Sequence, residues 1–314
     1  MKKILVLSAL ALALLSVTRL RAETSFSRKA VGTSAGQFLK MGVNARAVAM
    51  GEAYSAVADG SDAIFWNPAG LHRVENRAFS FMHSVYVQGI QHDFASYAQK
   101  IDALGTLGVS VQYMGAGELD ETNASGAKVG SFRPYDMAAT LGWGRLFKGF
   151  EGHEFAAGAA LKMVRSKIVE TAQTAAVDLG TQWSPYQDLW LALAVQNIGG
   201  QLKFKNEGDD LPLNVRLGSS YNVSWPLLLA ADVNFSGDNN ASASLGAEYK
   251  LRLGRESWAS GRAGYSSRTA SDLSGLPGVS AGCGLAGPSF GIDFAWTPFG
   301  DLGNAYRVSV SGKF

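Results

Sequence analysis

The residues able to do chemistry are few, and their spacing argues against most of it. His72, His83, His92, His153 and Cys283 are the only imidazole and thiol groups, and none stands at a spacing that zinc sites use; no H-E-x-x-H sequence occurs. His83 and His92 could approach one another across a hairpin, where paired histidines are ordinarily satisfied surface groups. Asp93 and Ser96 would be the base and nucleophile nearest His92. Adjacent residues of a strand point to opposite faces, so His92 and Asp93 cannot readily share a site. Gly282-Cys-Gly-Leu-Ala-Gly287 has the form G-x-G-x-x-G, yet it lies in a strand pattern and runs into Pro288 without a helix, so it is no nucleotide site. The expectation is a chain that is not an enzyme and holds neither metal nor cofactor.

The charges that remain sit in a regular setting. Asp136, Lys162, Asp178, Arg216, Asp232, Glu248, Asp293 and Arg307 each fall on the polar side of a segment of about ten residues that alternates apolar with polar. Leu107, Val109, Val111 and Tyr113 alternate with Gly108, Ser110 and Gln112, and Tyr135, Met137, Ala139, Leu141 and Trp143 alternate with Asp136, Ala138, Thr140 and Gly142. From residue 78 onward such segments number about fourteen, counting weaker ones at 78–88, 90–101, 257–267 and 278–287.

A soluble sandwich would show the same alternation, so two further features decide. The apolar faces are free of charge over about ten residues and end in aromatics such as Tyr113, Trp143, Trp183, Tyr221 and Trp296, as a tilted strand crossing a bilayer requires. The connections also alternate in length: 101–104, 184–188, 223–226 and 287–289 are short, whereas 115–132, 198–212 and 267–277 are long. Short turns on one rim and long loops on the other mark an outer-membrane barrel. The short connection at 87–90 and the long one at 145–153 fit that rule poorly. The expected fold is therefore all-β, a closed antiparallel transmembrane β-barrel of about 14 strands over residues 78–314. Its last segment sets Tyr306, Val308, Val310 and Phe314 on the apolar face, with the terminal aromatic resembling the assembly signal of bacterial outer-membrane barrels. The eight inward charges mix both signs, which predicts ion pairs that fill the lumen or hold a plug rather than a selective ion filter.

The N-terminus fits export. Lys2 and Lys3 precede an uncharged apolar run from Ile4 to Val17, too short for a membrane helix, which takes about twenty residues; residues 1–22 read as a cleaved signal peptide. Its removal leaves 24 bases against 26 acids, a balance with no electrostatic case for nucleic acid. A single cysteine excludes an internal disulfide framework. Glycine is abundant, 37 of 314 residues against a usual share of roughly 7%.

Residues 23–77 do not alternate. They are rich in Gly and Ala, with a helical hint at Ala45–Met50, and read either as a plug in the lumen or as a periplasmic arm. The stretch Gly32-Thr-Ser-Ala-Gly-Gln-Phe-Leu-Lys-Met-Gly-Val-Asn-Ala-Arg-Ala-Val-Ala-Met-Gly-Glu-Ala-Tyr-Ser-Ala-Val-Ala-Asp59, followed by Ile64-Phe-Trp-Asn-Pro-Ala-Gly-Leu71, resembles the N-terminal region of the PorV/PorQ family, a branch of the FadL-like outer-membrane barrels. The resemblance implies a plug, or hatch, whose motif is Asn67, Pro68, Ala69, Gly70 and Leu71. Pro68 would fix φ and Gly70 would permit a tight bend, letting Phe65 and Trp66 pack inside the wall.

Two functions follow from that resemblance. PorV-type members receive cargo proteins for type IX secretion, which would make secreted cargo and other secretion components the partners. FadL-type members pass hydrophobic small molecules such as long-chain fatty acids. The N-terminal match favours the secretion component, with outer-membrane lipid as the surroundings in either case. Acidic loops bearing Glu118, Asp120 and Glu121, and Glu207, Asp209 and Asp210, are its candidate docking surfaces. An apolar pocket of a few hundred Å³ beside residues 31–71 would instead favour the conduit.

Overall fold

The computed structural model describes residues 26–148, 154–268 and 276–314. The expected leader at 1–22 lies outside them, as does His153.

In hydrocarbon no water is available to satisfy backbone N–H and C=O groups, so strands survive only where each has a partner on both sides. The alternating segments meet that condition. The strands are β1 (Arg77–Val85), β2 (Gln91–Ile101), β3 (Gly105–Gly115), β4 (Leu119–Thr122), β5 (Lys128–Phe132), β6 (Tyr135–Lys148), β7 (Glu154–Lys167), β8 (Thr171–Tyr186) and β9 (Leu189–Gly199). They continue as β10 (Gln201–Phe204), β11 (Glu207–Asp210), β12 (Asn214–Ser224), β13 (Leu227–Ser236), β14 (Ser242–Arg252), β15 (Trp258–Ser266), β16 (Val279–Ala286), β17 (Phe290–Pro298) and β18 (Asn304–Lys313). Fourteen close into one antiparallel barrel, and β18 returns to pair with β1 from Ala78↔Lys313 to Val85↔Tyr306. The other four form two small hairpins, β4–β5 and β10–β11, inside the long connections where the sequence pattern shows only loops.

Side-chain burial follows the alternation. On β3, Thr106, Ser110 and Gln112 are buried inside while Leu107, Val109, Val111 and Tyr113 are exposed on the outer face. The long connection expected at 145–153 shrinks, because β6 runs on to Lys148 and β7 starts at Glu154. The terminal strand behaves as expected: Tyr306 and Val308 face outward, and Phe314 stacks on Phe79 with ring centroids 5.8 Å apart. Gly312 faces Phe79 across β1–β18, where a side chain would collide with the ring.

One irregularity in the wall has an evident cause. Between β8 and β9 the register shifts, so Asp178 opposes both Gln196 and Asn197, the arrangement of a β-bulge. Asn197 takes φ 60°, which asparagine tolerates. Its N–H donates to Asp178 Oδ1 at 2.8 Å, its Oδ1 accepts from Lys162 Nζ at 2.9 Å, and its Nδ2 donates to the Pro212 carbonyl at 3.0 Å. Lys162 and Asp178 complete the knot as an ion pair at 2.7 Å, both buried.

Removing one partner of a buried ion pair strands the other charge. Lys162→Met is expected to destabilise the barrel by about 3–5 kcal/mol, read from denaturant unfolding in vesicles, and Lys162→Met with Asp178→Leu to recover most of that loss. Equal losses in the single and double variants would show that the pair does not carry the effect.

Candidate functional site

The N-terminal segment lies within the ring of strands and touches nearly every part of it. Its elements are short because its sequence has no long apolar stripe. They are 3-10 turns at Arg28–Ala30 and Gln37–Lys40, α1 (Ala45–Ala49), α2 (Ala63–Trp66) and a 3-10 run at Pro68–Arg73. Asn44 caps α1, with its side chain accepting from Arg46 N, and Asn67 caps the 3-10 run by accepting from Ala69 N. Met50, Tyr54, Ile64, Trp66 and Leu71 are fully buried and form one core with Met82, Phe94 and Ala98 of the wall.

This close approach is possible because the wall lacks side chains where the segment rests. Gly144, Gly158 and Gly180 are cross-strand neighbours on β6, β7 and β8. A Cβ on Gly144 would strike the Pro68 carbonyl and Leu71, one on Gly158 would strike Pro68 and Ala69, and one on Gly180 would strike the Asn67 side chain. Gly108 and Gly142, paired on β3 and β6, make room for Leu71 and Ile64. On the far wall Gly246 and Gly264, paired on β14 and β15, accept the backbone of Met50 and Gly51, and Gly282 accepts Ala49. Sequence reading missed this seat. The available signal was glycine recurring in phase with the polar face, strand after strand.

The Asn67–Leu71 motif therefore has a definite place. The Asn67 amide donates to the carbonyls of Ser55 and Thr181, at 3.2 and 3.0 Å, tying segment to wall. Phe65 and Trp66 are buried, edge to face at 5.1 Å, and Trp66 Nε1 donates to the Val43 carbonyl. Gly70 sits in a tight turn, its N–H donating to the Asn67 carbonyl at 2.9 Å, and a close approach adds a second demand. Gly70 is absent from the residues of positive φ, and what requires glycine is the Ala58 carbonyl against the place of its Cβ.

All eight expected lumen charges face inward, but they serve different ends. Glu248 grips the segment: Arg46 Nε and Nη2 reach its two carboxylate oxygens at 2.8 and 3.0 Å. Arg262 bridges Glu248 to Asp293, each at 2.7 Å, so the Arg46 latch is backed by a second arginine that the sequence did not reveal. Asp232 accepts the N–H groups of Tyr54 and Ser55. Lys162 and Asp178 belong to the β8–β9 bulge. Asp136 lies opposite Ser166 near the outer rim. Arg307 stands over the Tyr86 ring, and Arg216 over Trp66 at 4.9 Å with its Nε on Gln196. Within the segment, Asn44 Nδ2 donates to Asp62, and burial, with the nearby Asp59 charge, pushes the Asp62 carboxyl up to about 7.

The two histidines of the first hairpin do not meet. His83 faces outward and bonds Asp93 across β1–β2 at 2.6 Å, while His92 faces the lumen, fully buried against Gln112. Among the described residues no group of three or more His, Cys, Asp and Glu is placed to hold a metal ion.

Above the segment, toward the outer rim, the interior divides. On the β6–β8 side Phe38, Leu39, Val164, Leu202 and Leu211 form an apolar layer, with Met41, Met114 and Phe204 partly covered at its edge. Hairpin β10–β11 closes over it and is joined to the segment by Ala35 N donating to the Asp210 carbonyl at 3.0 Å. On the β12–β15 side lies a polar cavity of about 190 Å³, and a smaller one of about 50 Å³ sits beyond the Arg268–Glu52 ion pair. The apolar contribution is thus a filled layer; the larger cavity is polar, while the smaller is lined by Met41, Val48, Tyr86 and Phe299 beside Glu52, Arg268 and Arg307.

No family model and no curated relative matches the sequence. Solved structures do match in fold. A toluene transporter of Ralstonia pickettii, TbuX, superposes with TM-score 0.57 at 12% identity, over 87% of this chain and 98% of that one. A FadL homologue of Pseudomonas aeruginosa gives TM-score 0.56 at 12% identity over the same shares, and the monoaromatic hydrocarbon channel CymD gives 0.54 at 13%, again covering 87% and 98%.

If the glycine seat holds the segment, filling it should lift the segment without opening the ring. Gly180→Val is expected to keep the heat-modifiable mobility of a closed barrel while residues 26–76 become sensitive to added protease. Gly261→Ala, whose Cβ meets nothing within 4 Å, should leave the segment protected. Protection retained in Gly180→Val would contradict the seat. These contacts, and the likeness in fold to hydrocarbon transporters, give the chain a closed 14-strand barrel of FadL-like architecture.

Proposed function

We propose that this chain is a conduit for small hydrophobic molecules in the bacterial outer membrane, and not an enzyme, with residues 23–77 acting as its plug. The observation that carries the reading is the apolar layer of Phe38, Leu39, Val164, Leu202 and Leu211. It lies beneath the outer hairpin, and across the lumen from it the β12–β15 side carries Asn, Ser and charge. Met41, Met114 and Phe204 give that layer a partly open edge, so an apolar solute arriving from outside meets oil-like side chains supplied by plug and wall together. The plug rests on bare backbone at the glycine seat and is tied to the wall by ion pairs and hydrogen bonds, among them Arg46 to Glu248, Gln196 to the Phe65 carbonyl and the Gly51 N–H to Ser280. The solved transporters of similar fold, one for toluene and one a monoaromatic hydrocarbon channel, support the same class of solute.

The secretion reading suggested by the N-terminal resemblance gains no comparable support. Of the acids on its candidate docking loops, Glu118 pairs with Arg133 and Asp120 with Lys128 at the exposed surface. Glu207, Asp209 and Asp210 belong to the hairpin that folds back over the barrel mouth.

The test is entry of an apolar dye that fluoresces in lipid, measured in cells whose lipopolysaccharide outer membrane lacks a conduit of its own. Expression of the full chain is expected to speed entry several-fold, and Leu202→Ser with Leu211→Ser to reduce that gain. Entry no faster than in cells without the chain would overturn the proposal.

A further inference from the structure

At the outer end of the wall the lipid-facing row is largely aromatic. Tyr113 and Tyr135 stack with centroids 6.0 Å apart, and Tyr265, Trp296 and Tyr306 stand near the outer ends of β15, β17 and β18. On β7 and β8 that row is interrupted. Arg165 and Lys167 of β7 face outward, and directly across the strand pairing stand Gln173 and Thr171 of β8, also outward. The four make one polar patch on a face that lipid covers.

The height of the patch follows from β7 itself. Rising from the periplasmic end, its outward positions are Phe155, Ala157, Ala159, Leu161 and Met163, none of them charged. Such a run is close to the 9–11 residues with which a tilted strand crosses the hydrocarbon. Arg165 takes the next outward position and Lys167 the one above it, so both cations stand at the level of the outer-leaflet headgroups. Long basic side chains at that level lay their stems along the apolar band and carry their charge to the interface.

No acid of the protein balances them. Neither Arg165 nor Lys167 has an ion-pair partner among the described residues. Glu170, in the β7–β8 turn, is paired with Lys205 at 3.8 Å, and His83 and Asp93, charged residues of the lipid-facing wall on β1–β2, close on each other at 2.6 Å. Two like charges two residues apart on one strand face are separated by roughly 7 Å of backbone, near enough for both side chains to converge on one anion. In a headgroup layer the anion at hand is a lipid phosphate, which arginine and lysine bind by charge-assisted hydrogen bonds. Gln173 and Thr171 add neutral donors beside them.

We infer that Arg165, Lys167, Thr171 and Gln173 form a binding site on the outside of the barrel for a phosphorylated glycolipid of the outer leaflet, with Arg165 and Lys167 taking its phosphate. Val164, Ala172 and Ala176 of the same two strands face the other way, into the apolar layer, so the lipid and that layer lie on opposite faces of one pair of strands. The site rests on the placement of the barrel in the outer membrane and is independent of the solute that the barrel passes.

The test is native mass spectrometry of the full, folded chain in detergent with three probes: bisphosphorylated lipid A, the same lipid stripped of its phosphates, and inorganic phosphate. The bisphosphorylated lipid is expected to bind saturably and about tenfold more tightly than the stripped one, with inorganic phosphate displacing little of it. Arg165→Gln with Lys167→Gln, checked for heat-modifiable mobility, should lower its affinity to that of the stripped lipid. Arg145→Gln, exposed at the periplasmic end of the wall, should leave it unchanged. Equal affinity for the two lipids, full affinity in the double variant, a matching loss in Arg145→Gln, or inorganic phosphate binding as tightly as the lipid would each overturn the inference.

Discussion

Closure of the strand ring is the constraint on which everything else depends. A backbone group without a partner in hydrocarbon is penalised by several kcal/mol, so β18 must find β1, and the register from Ala78↔Lys313 to Val85↔Tyr306 joins the two ends of the sheet. Once the ring is closed, period two assigns every residue of every strand either to lipid or to the lumen. The outer face then needs only apolar and aromatic side chains. Most of the charge then falls on the inner face, the His83–Asp93 pair on the outer face of β1–β2 being an exception.

The lumen of a fourteen-strand ring is too wide for its own side chains to fill. Here the gap is filled by chain, and the fit is made by subtraction: glycines at 144, 158 and 180 on one wall and at 246, 264 and 282 on the other let backbone lie on backbone. Polar groups on both surfaces then pair across the contact, with Gln182 and Asn67 meeting the Ser55 carbonyl and Arg46 meeting Glu248. A segment with few regular elements is stable in this place because the wall supplies the partners its backbone lacks. The same arrangement leaves the outer end divided into an apolar side and a polar side.

Much of this was legible in the sequence, and what was not has a common cause. Alternation in segments such as 107–113 and 135–143 gave the barrel, and the inward phase of Asp136, Lys162, Asp178, Arg216, Asp232, Glu248, Asp293 and Arg307 was readable residue by residue. What each charge would meet was not, because register across strands is a property of pairing. Arg262 becomes the partner of Glu248 only through β14–β15, and His83 turns away from His92 only because the two have opposite phase at the β1–β2 hairpin. The bend at Gly70 was readable, whereas the Ala58 carbonyl against its Cβ position was not, since a bend and a close approach leave the same mark in a sequence. The hairpins at 119–132 and 201–210 were hidden because strands of four or five residues are too short to show a period. The N-terminal resemblance identified the kind of barrel and leaned toward the secretion branch, whereas the apolar layer that favours a conduit joins residues as distant as Phe38 and Leu211.

The central claim is that the inner segment occludes the lumen in the resting protein. Ion conductance of the purified full-length chain in a planar lipid bilayer tests it directly. The account expects folded, inserted barrels that carry no steady current at low voltage. A stable open conductance of porin size from the unmodified chain would contradict it.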